Sequence, residues 1–315
     1  MRLLYLPAAQ LEVVKLDKHH ILDELIRFDG EIKSNELMSE HTTWQIGGPA
    51  DFLLMPRSIT ALKACLDLAE RHQMPVTVIG NGSNVLVRDS GIRGMVIKTT
   101  LLNNMEIKGT TIRAEGGVLL PVLVEAAGRA GLQGLEFAAG IPGTLGGALA
   151  MNAGTGQRNF SDVLMEVTVM QRDGTIETLM PSQVSFGYRS SSLKETSLLI
   201  IAAVLGLVPG ISSEIQSSIK EIIQSRRVKQ PLKWPNAGSV FTNPEGYAAG
   251  YLIEQAGAKG LVRGRAQVSE LHANFIINLG GATARDVEGL IKEVRHRVME
   301  KHGIELRLEI QIFGE

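Results

Sequence analysis

Residues 80–89 read GNGSNVLVRD and stand between the apolar stretches MPVTVIG (74–80) and VLVRD (85–89). The β-branched content on both sides predicts two strands, joined by Gly80, Asn81, Gly82, Ser83 and Asn84. A hairpin needs only a two-residue Asn-Gly or Asp-Gly turn, so five small or polar residues exceed what a turn requires. Glycines accept positive φ and let a ligand approach the main chain. Successive N–H groups in such a loop converge on an anion such as a diphosphate. Taken alone the stretch reads equally well as a plain turn, and the choice depends on the rest of the chain.

The pattern around it alternates strand and helix. ADFLLMP (50–56), SITALKACLDLAERHQ (58–73) and PVTVIG (75–80) form a β-α-β unit, and TIRAEGGVLLPVLVEAAGRAGLQGLEF (111–137) is a strand followed by a helix that Gly131 and Gly134 suit to end. LMEVTVMQRDGTIETLM (164–180) is a hairpin turning at Asp173-Gly174. After the strand LLIIAAVLGLV (198–208), Pro209-Gly210 marks a change of composition, and a domain boundary is placed just before the amphipathic helix SEIQSSIKEIIQSRRVKQP (213–231). A second α/β segment closes with the helix TARDVEGLIKEVRHRVMEKHG (283–303) and the strand ELRLEIQIF (305–313). No repeat of fixed period is present.

With 315 residues the chain can form about two or three domains. Hydrophobic residues at 44% and charged ones at 21% are globular values, and 34 glycines exceed the usual share of about 7%, so the excess belongs to ordered loops. Lys plus Arg at 32 against Asp plus Glu at 33 gives a net charge of −1, which excludes a global field for nucleic acid or anionic lipid. An anionic ligand therefore needs a local pocket. The single cysteine, Cys65, excludes an internal disulfide, and its helical spacing makes it a core thiol. MRLLYLPAAQLEVV (1–14) is too short in apolar run for a secretory signal, and LLIIAAVLGLVPGI (198–211) falls short of the roughly 20 residues that span a bilayer. The expectation is a cytoplasmic monomer with no nucleic-acid or membrane partner.

Missing motifs narrow the chemistry. GIPGTLGG (140–147) lacks the Lys-Ser/Thr pair of a Walker A loop, and Val85 stands where a Rossmann fingerprint needs its third glycine. His19, His20, His296 and His302 have no paired metal-ligand spacing. What GIPGTLGG does supply is a second glycine loop more than fifty residues after the first. Two loops of free N–H groups can bracket the diphosphate of a dinucleotide without net protein charge.

GNGSNVLVRD, GLEFAAGIPGTLGGALAMNAG (134–154), YRSS (188–191), NAGSVFTNP (236–244), SELHANFIIN (269–278) and LRLEIQIFGE (306–315) together resemble the UDP-N-acetylenolpyruvoylglucosamine reductases, FAD enzymes of peptidoglycan precursor synthesis. The resemblance runs in order from His41 to Glu315, with only the first forty residues outside it. It implies an α/β chain: a two-lobed FAD-binding region of the vanillyl-alcohol-oxidase type over 1–210, with lobes of about 1–98 and 99–210, and a substrate-binding domain over 211–304. It also implies that the C-terminal strand, 305–315, returns to the first lobe. Non-covalent FAD would be held by Gly80, Asn81, Gly82, Ser83, Asn84 and Val85, and by Gly140, Ile141, Pro142, Gly143, Thr144, Gly146 and Gly147. NADPH would reduce the flavin, which would then reduce the enolpyruvyl double bond of a nucleotide sugar.

Three residues match the family's catalytic roles. Arg189 would face the substrate carboxylate, where a planar cation suits a developing oxyanion. Glu309 would assist at the same end, and an acid there helps only if its pocket raises its pKa. Ser239 would donate the proton. Tyr188, Lys229 and Asn243 are implied substrate contacts. Thr242, Arg265 and Leu271 depart from common family residues, and a tyrosine-bearing insertion is missing, which suggests the shorter subtype. The alternatives are an oxidase of the same fold, or a non-catalytic flavin or nucleotide-sugar binder that could dispense with Arg189, Ser239 and Glu309.

Overall fold

The computed structural model describes residues 21, 23–25, 27–155, 158–196 and 198–315. The N-terminal apolar run and His19–His20 lie outside the described residues. In the first lobe β1 (Gly30–Leu37) runs antiparallel to β2 (Pro49–Pro56), and β3 (Val76–Ile79) and β2 both pair in parallel with β5 (Ile92–Lys98), giving the order β1-β2-β5-β3. Helix α1 (Ile59–Arg71) starts where the Ser58 hydroxyl accepts from Ala61 N. Its Leu62, Cys65, Leu66 and Ala69 follow helical spacing and bury against Phe52, Leu54, Met95 and Ile97 of the sheet. Cys65 is a core thiol there, with its pKa pushed up to about 12 by burial.

The next strand, β4 (Val85–Val87), does not join that sheet. It pairs in parallel with a strand from the chain's end, so Gly80–Asn84 connects two different sheets and is no hairpin turn. The second lobe is an antiparallel five-stranded sheet of β6 (Met105–Lys108), β7 (Thr111–Glu115), β8 (Leu164–Met170), β9 (Ile176–Leu179) and a central strand, Leu199–Gly206. Asp173-Gly174 lies at the β8–β9 connection as expected, with Gly174 at φ +80°. Helices α2 (Leu120–Arg129) and α3 (Leu145–Ala150) contribute to this lobe's core through Leu123, Ala127, Leu145 and Leu149.

The helix expected to open the third unit, α4 (Ser212–Lys229), packs on the second lobe instead. Ile219, Ile222 and Ile223 rest on that lobe's core, Gly128 of α2 leaves room for Ile219, and the Ser212 hydroxyl donates to Gly128 O at 2.7 Å. The break in packing therefore falls near Gln230 and not at Gly210. Beyond it, α5 (Ala249–Gln255), α6 (Ala284–His302) and a three-stranded antiparallel sheet share one core with Trp44, Ile46 and Leu86 of the first lobe.

The tail does return to the first lobe, but only Gln311–Phe313 forms a strand, in register with Val85–Val87. The single strand expected over 305–313 is broken because its first half serves another unit. Leu306 and Ile310 are buried in the third unit's core, and Leu308 bridges Phe241.

The last residue of GNGSNVLVRD ties the units together. Asp89 accepts from Ala284 N at 2.8 Å and Arg285 N at 3.1 Å, the two opening N–H groups of α6 that its own cap, Thr283, does not reach. Arg88 adds an ion pair to Glu288 at 3.0 Å. A carboxylate on a helix N-terminus is worth about 1 kcal/mol. Asp89→Ala is expected to lower unfolding stability by roughly that amount in urea titration, whereas Asp89→Asn should lose less because one acceptor oxygen remains.

Candidate active site

The two glycine loops are in contact. Asn81 Nδ2 donates to Pro142 O at 2.6 Å, and a Cβ on Gly80 would overlap the Thr144 hydroxyl, which itself caps α3 by accepting from Gly147 N. Gly82 has φ +66°, and a Cβ there would overlap the carbonyl of His41. The N–H groups of Asn81, Gly82, Ser83 and Asn84 donate to no acceptor among the described residues. Between the loops opens a cavity of ≈ 330 Å³. Free main-chain donors around a space kept open by glycines fit the diphosphate of a dinucleotide. Of the residues expected to hold it, Gly140 and Gly146 stand behind the wall. Gly146 lets the main chain approach Gly116, whose carbonyl accepts from Gly146 N at 2.8 Å, and Gly140, at φ +75°, lies under Arg226.

Arg189, Ser239 and Glu309 all line the same cavity, although they come from three distant segments. Arg189 occupies the turn of the small hairpin Phe186–Gly187 and Ser190–Ser191, with φ +55°, a backbone state that costs a non-glycine residue on the order of 1 kcal/mol. The hairpin is tied down by Asn152 Nδ2 donating to Gly187 O at 3.1 Å and by Ser191 Oγ donating to Ala150 O at 2.8 Å. The guanidinium donates from Nη2 to Gly154 O at 2.8 Å. Its Nε stands 2.9 Å from Glu309 Oε1, close enough for an ion pair but out of line for a hydrogen bond.

Glu309 sits in a segment bonded at both peptide faces. Its N–H donates to Val240 O at 2.9 Å and its carbonyl accepts from Asn84 Nδ2 at 3.0 Å. Burial pushes its carboxyl above the ordinary carboxylate range, and the charge and contact of Arg189 offset only part of this. The raised pKa expected of an acid at this position is therefore present. Ser239 follows Gly238, whose φ of +75° and N–H bond to Asn236 Oδ1 at 2.9 Å make a tight turn that presents the serine to the cavity.

The expected substrate contacts fall elsewhere. Tyr188 is exposed at the hairpin tip, with its ring 5.3 Å from Arg189 Cζ. Lys229 is exposed at the end of α4, and Asn243 caps α5 by accepting from Ala249 N at 2.9 Å. None of the three lines the cavity. The walls that sequence reading missed include Met151, Phe275, Gln311, Arg226 and Gln230. In SRRVKQ helical spacing places both Lys229 and Gln230 beside Arg226, and the rotation of α4 on its lobe brings Arg226 and Gln230, but not Lys229, to the cavity. Among the described residues no group of His, Cys, Asp and Glu could hold a metal, and no helix is long and apolar enough to cross a membrane.

Residues 50–180 match an FAD binding domain family, and residues 230–313 match the C-terminal domain of UDP-N-acetylenolpyruvoylglucosamine reductase. The second match begins where α4 ends. Among curated proteins, the UDP-N-acetylenolpyruvoylglucosamine reductase of Moorella thermoacetica is 49% identical over 90% of this chain and 94% of its own. That of Carboxydothermus hydrogenoformans is 45% identical over 95% of this chain and 100% of its own. The crystal structure of the Thermus caldophilus reductase superposes with a TM-score of 0.78 at 38% identity, covering 90% of this chain and 99% of that one.

The loop geometry separates two glycine variants. At Gly143 an added Cβ meets only Ser83 Oγ at 3.5 Å and Leu120 Cδ1 at 3.8 Å, so Gly143→Val is expected to fold while filling space between the loops. It should purify with wild-type circular dichroism but well under half the wild-type flavin, read from visible absorbance. Gly82→Val should lose flavin and thermal stability together. Full flavin content in Gly143→Val would detach this loop from cofactor binding.

Proposed function

Because the chain belongs to the UDP-N-acetylenolpyruvoylglucosamine reductase family, we propose that Arg189, Ser239 and Glu309 carry out that family's reaction in the cavity between the glycine loops. The enzyme is an FAD-dependent oxidoreductase that reduces the enolpyruvyl group of UDP-N-acetylglucosamine enolpyruvate to UDP-N-acetylmuramate, with NADPH as reductant. When bound, the flavin supplies the two-electron chemistry, taking a hydride equivalent from NADPH and passing it to the terminal vinyl carbon. The observation that carries the residue assignment is the convergence of these three side chains, from the hairpin, the third unit and the tail, on one cavity beside the loops.

Addition at the vinyl terminus drives negative charge into the substrate carboxylate. Arg189 is fixed by Gly154 O and by Glu309, so its cation needs no reorganisation as the charge grows. Glu309, whose carboxyl burial pushes above the ordinary carboxylate range, donates a hydrogen bond to the same end in its protonated form. Ser239 delivers the proton that completes the addition at the neighbouring carbon. A serine hydroxyl is a weak acid, and it serves here because the carbon it meets is strongly basic.

Two measurements test these roles. In stopped flow, Ser239→Ala should leave flavin reduction by NADPH unchanged and slow flavin reoxidation by the enolpyruvyl substrate by about 10² to 10⁴. Equal slowing of both halves would remove Ser239 as the donor. For Glu309 the sign is set by its raised pKa: the neutral donor form is present below that pKa and lost as pH rises through it. Reoxidation should therefore fall with rising pH, and Glu309→Gln should flatten that limb at near wild-type rate. Glu309→Ala should lose roughly 10² to 10³ at every pH.

A further inference from the structure

Two polar atoms of the cavity wall have no partner and no part in the steps above. Arg226 and Gln230 lie one turn apart at the end of α4, and both line the cavity. Arg226 Nε and Gln230 Oε1 are buried without a hydrogen-bond partner. The helix beneath them is held on the second lobe by Ile219, Ile222 and Ile223, and the stem of Arg226 passes over Gly140, where an added Cβ would come within 3.0 Å of its Cδ. A side chain on a larger residue at position 140 would displace it. The pair is thus presented by a rigid element.

Burial lowers the pKa of Arg226, and among the described residues no neighbouring carboxylate opposes that shift. This differs from Arg189, which has the Glu309 carboxyl 2.9 Å away. An uncompensated cation facing a ligand cavity favours negative charge on whatever binds there. The unpaired oxygen of Gln230 narrows the choice further. A diphosphate offers acceptors only and would leave that oxygen unmet. A cation beside an acceptor matches a carbonyl beside an N–H, which is the imide edge of a pyrimidine ring.

We propose that Arg226 and Gln230 hold the pyrimidine edge of the flavin, with the guanidinium at the C2 carbonyl and Gln230 Oε1 at the N3–H. The inference rests on the FAD reading above. The uracil of the nucleotide sugar carries the same imide edge, but it stays neutral through the reaction and gains little from a cation. The flavin edge takes up negative charge on reduction, and charge near N1 is a protein's means of tuning it. Arg226 therefore binds reduced flavin more tightly than oxidised flavin and sets how readily NADPH reduces it. Gln230 serves both redox states alike.

The test is an anaerobic redox titration of holoenzyme, together with titration of apoprotein by oxidised FAD. Arg226→Met keeps the stem over Gly140 and removes the charge. It should bind oxidised FAD within a few-fold of wild type and reduced FAD roughly 10²-fold more weakly, the scale of a lost charge-assisted hydrogen bond. For a two-electron couple that is a midpoint potential lower by about 60 mV. Gln230→Leu should weaken both redox states equally and leave the potential in place. Equal weakening of both states in Arg226→Met would assign the cation to the diphosphate and overturn the proposal. Unchanged flavin affinity and potential with a raised KM for the nucleotide sugar would assign the edge to uracil and overturn it as well. If Arg226→Met does not fold, Arg226→Gln reads the same potential with a polar head in place. A wild-type chain with no flavin spectrum would remove the premise itself, a result distinct from all of these.

Discussion

The peptide groups of Glu309 are bonded from two sides, and the rest of the site depends on those two bonds. Asn84 Nδ2 reaches its carbonyl from the first glycine loop, and Val240 O receives its N–H from the segment that carries Ser239. Gln311 N then donates to Asn84 O at 2.9 Å, and the tail continues as a strand beside Val85–Val87. One residue therefore sets the distance between the first lobe and the third unit. The side chain of Glu309 is aimed by main-chain bonds, which are stiffer than any rotamer preference. A second tie stands behind it: Trp44 Nε1 donates to Ile276 O at 2.9 Å, and Asn278 Nδ2 returns a bond to Trp44 O at 3.0 Å. The buried indole fills the seam between the units while its one polar atom is satisfied.

Against that fixed acid the second lobe brings a strained cation. Arg189 is in the left-handed region, where a non-glycine residue persists only when its surroundings over-determine it. Asn152 and Ser191 supply that determination by bonding the hairpin to the end of α3, and α3 begins at Thr144 in the second glycine loop. The second glycine loop and the contacts that fix the Arg189 turn are therefore at the two ends of one short helix.

Most of the strand and helix order was legible because it rests on local period. The buried stripe of α1, the Asp173-Gly174 turn and the capped helix Ala284–His302 are each specified within about twenty residues of chain. The glycine loops were legible as loops for the same reason. What local pattern cannot state is which core an apolar face will meet. The helix Ser212–Lys229 shows its amphipathic face in sequence, but nothing in that face tells the second lobe from the third unit. The tail fails similarly: LRLEIQIF alternates as one strand should, and Leu306 to Ile312 do face one core, but its main chain changes partner from Val240–Phe241 to Val85–Val87, so the strand is confined to Gln311–Phe313. In the site, Arg189, Ser239 and Glu309 came from motif resemblance, whereas Arg226 and Gln230 required knowing how α4 is rotated on its lobe.

The placement of charge follows from a chain whose net charge is only −1. A dinucleotide cofactor carries its permanent charge on the diphosphate, and the first glycine loop has dipoles to offer such a charge: the N–H groups of Asn81 to Asn84, which donate to no acceptor among the described residues. Dipoles hold a permanent anion without placing a formal charge that would also stabilise every other anion in the cavity. Formal cations stand instead on the cavity wall, as Arg189 and Arg226. Arg189 stands 2.9 Å from a carboxyl that burial makes reluctant to ionise, so its field in the cavity is strong when that carboxyl is protonated and offset when it is ionised. Arg226 has no such partner among the described residues, so its field in the cavity does not depend on the protonation of a second group. Fixed charge thus rests with dipoles and changing charge with arginines, and the difference between the two arginines lies in Glu309.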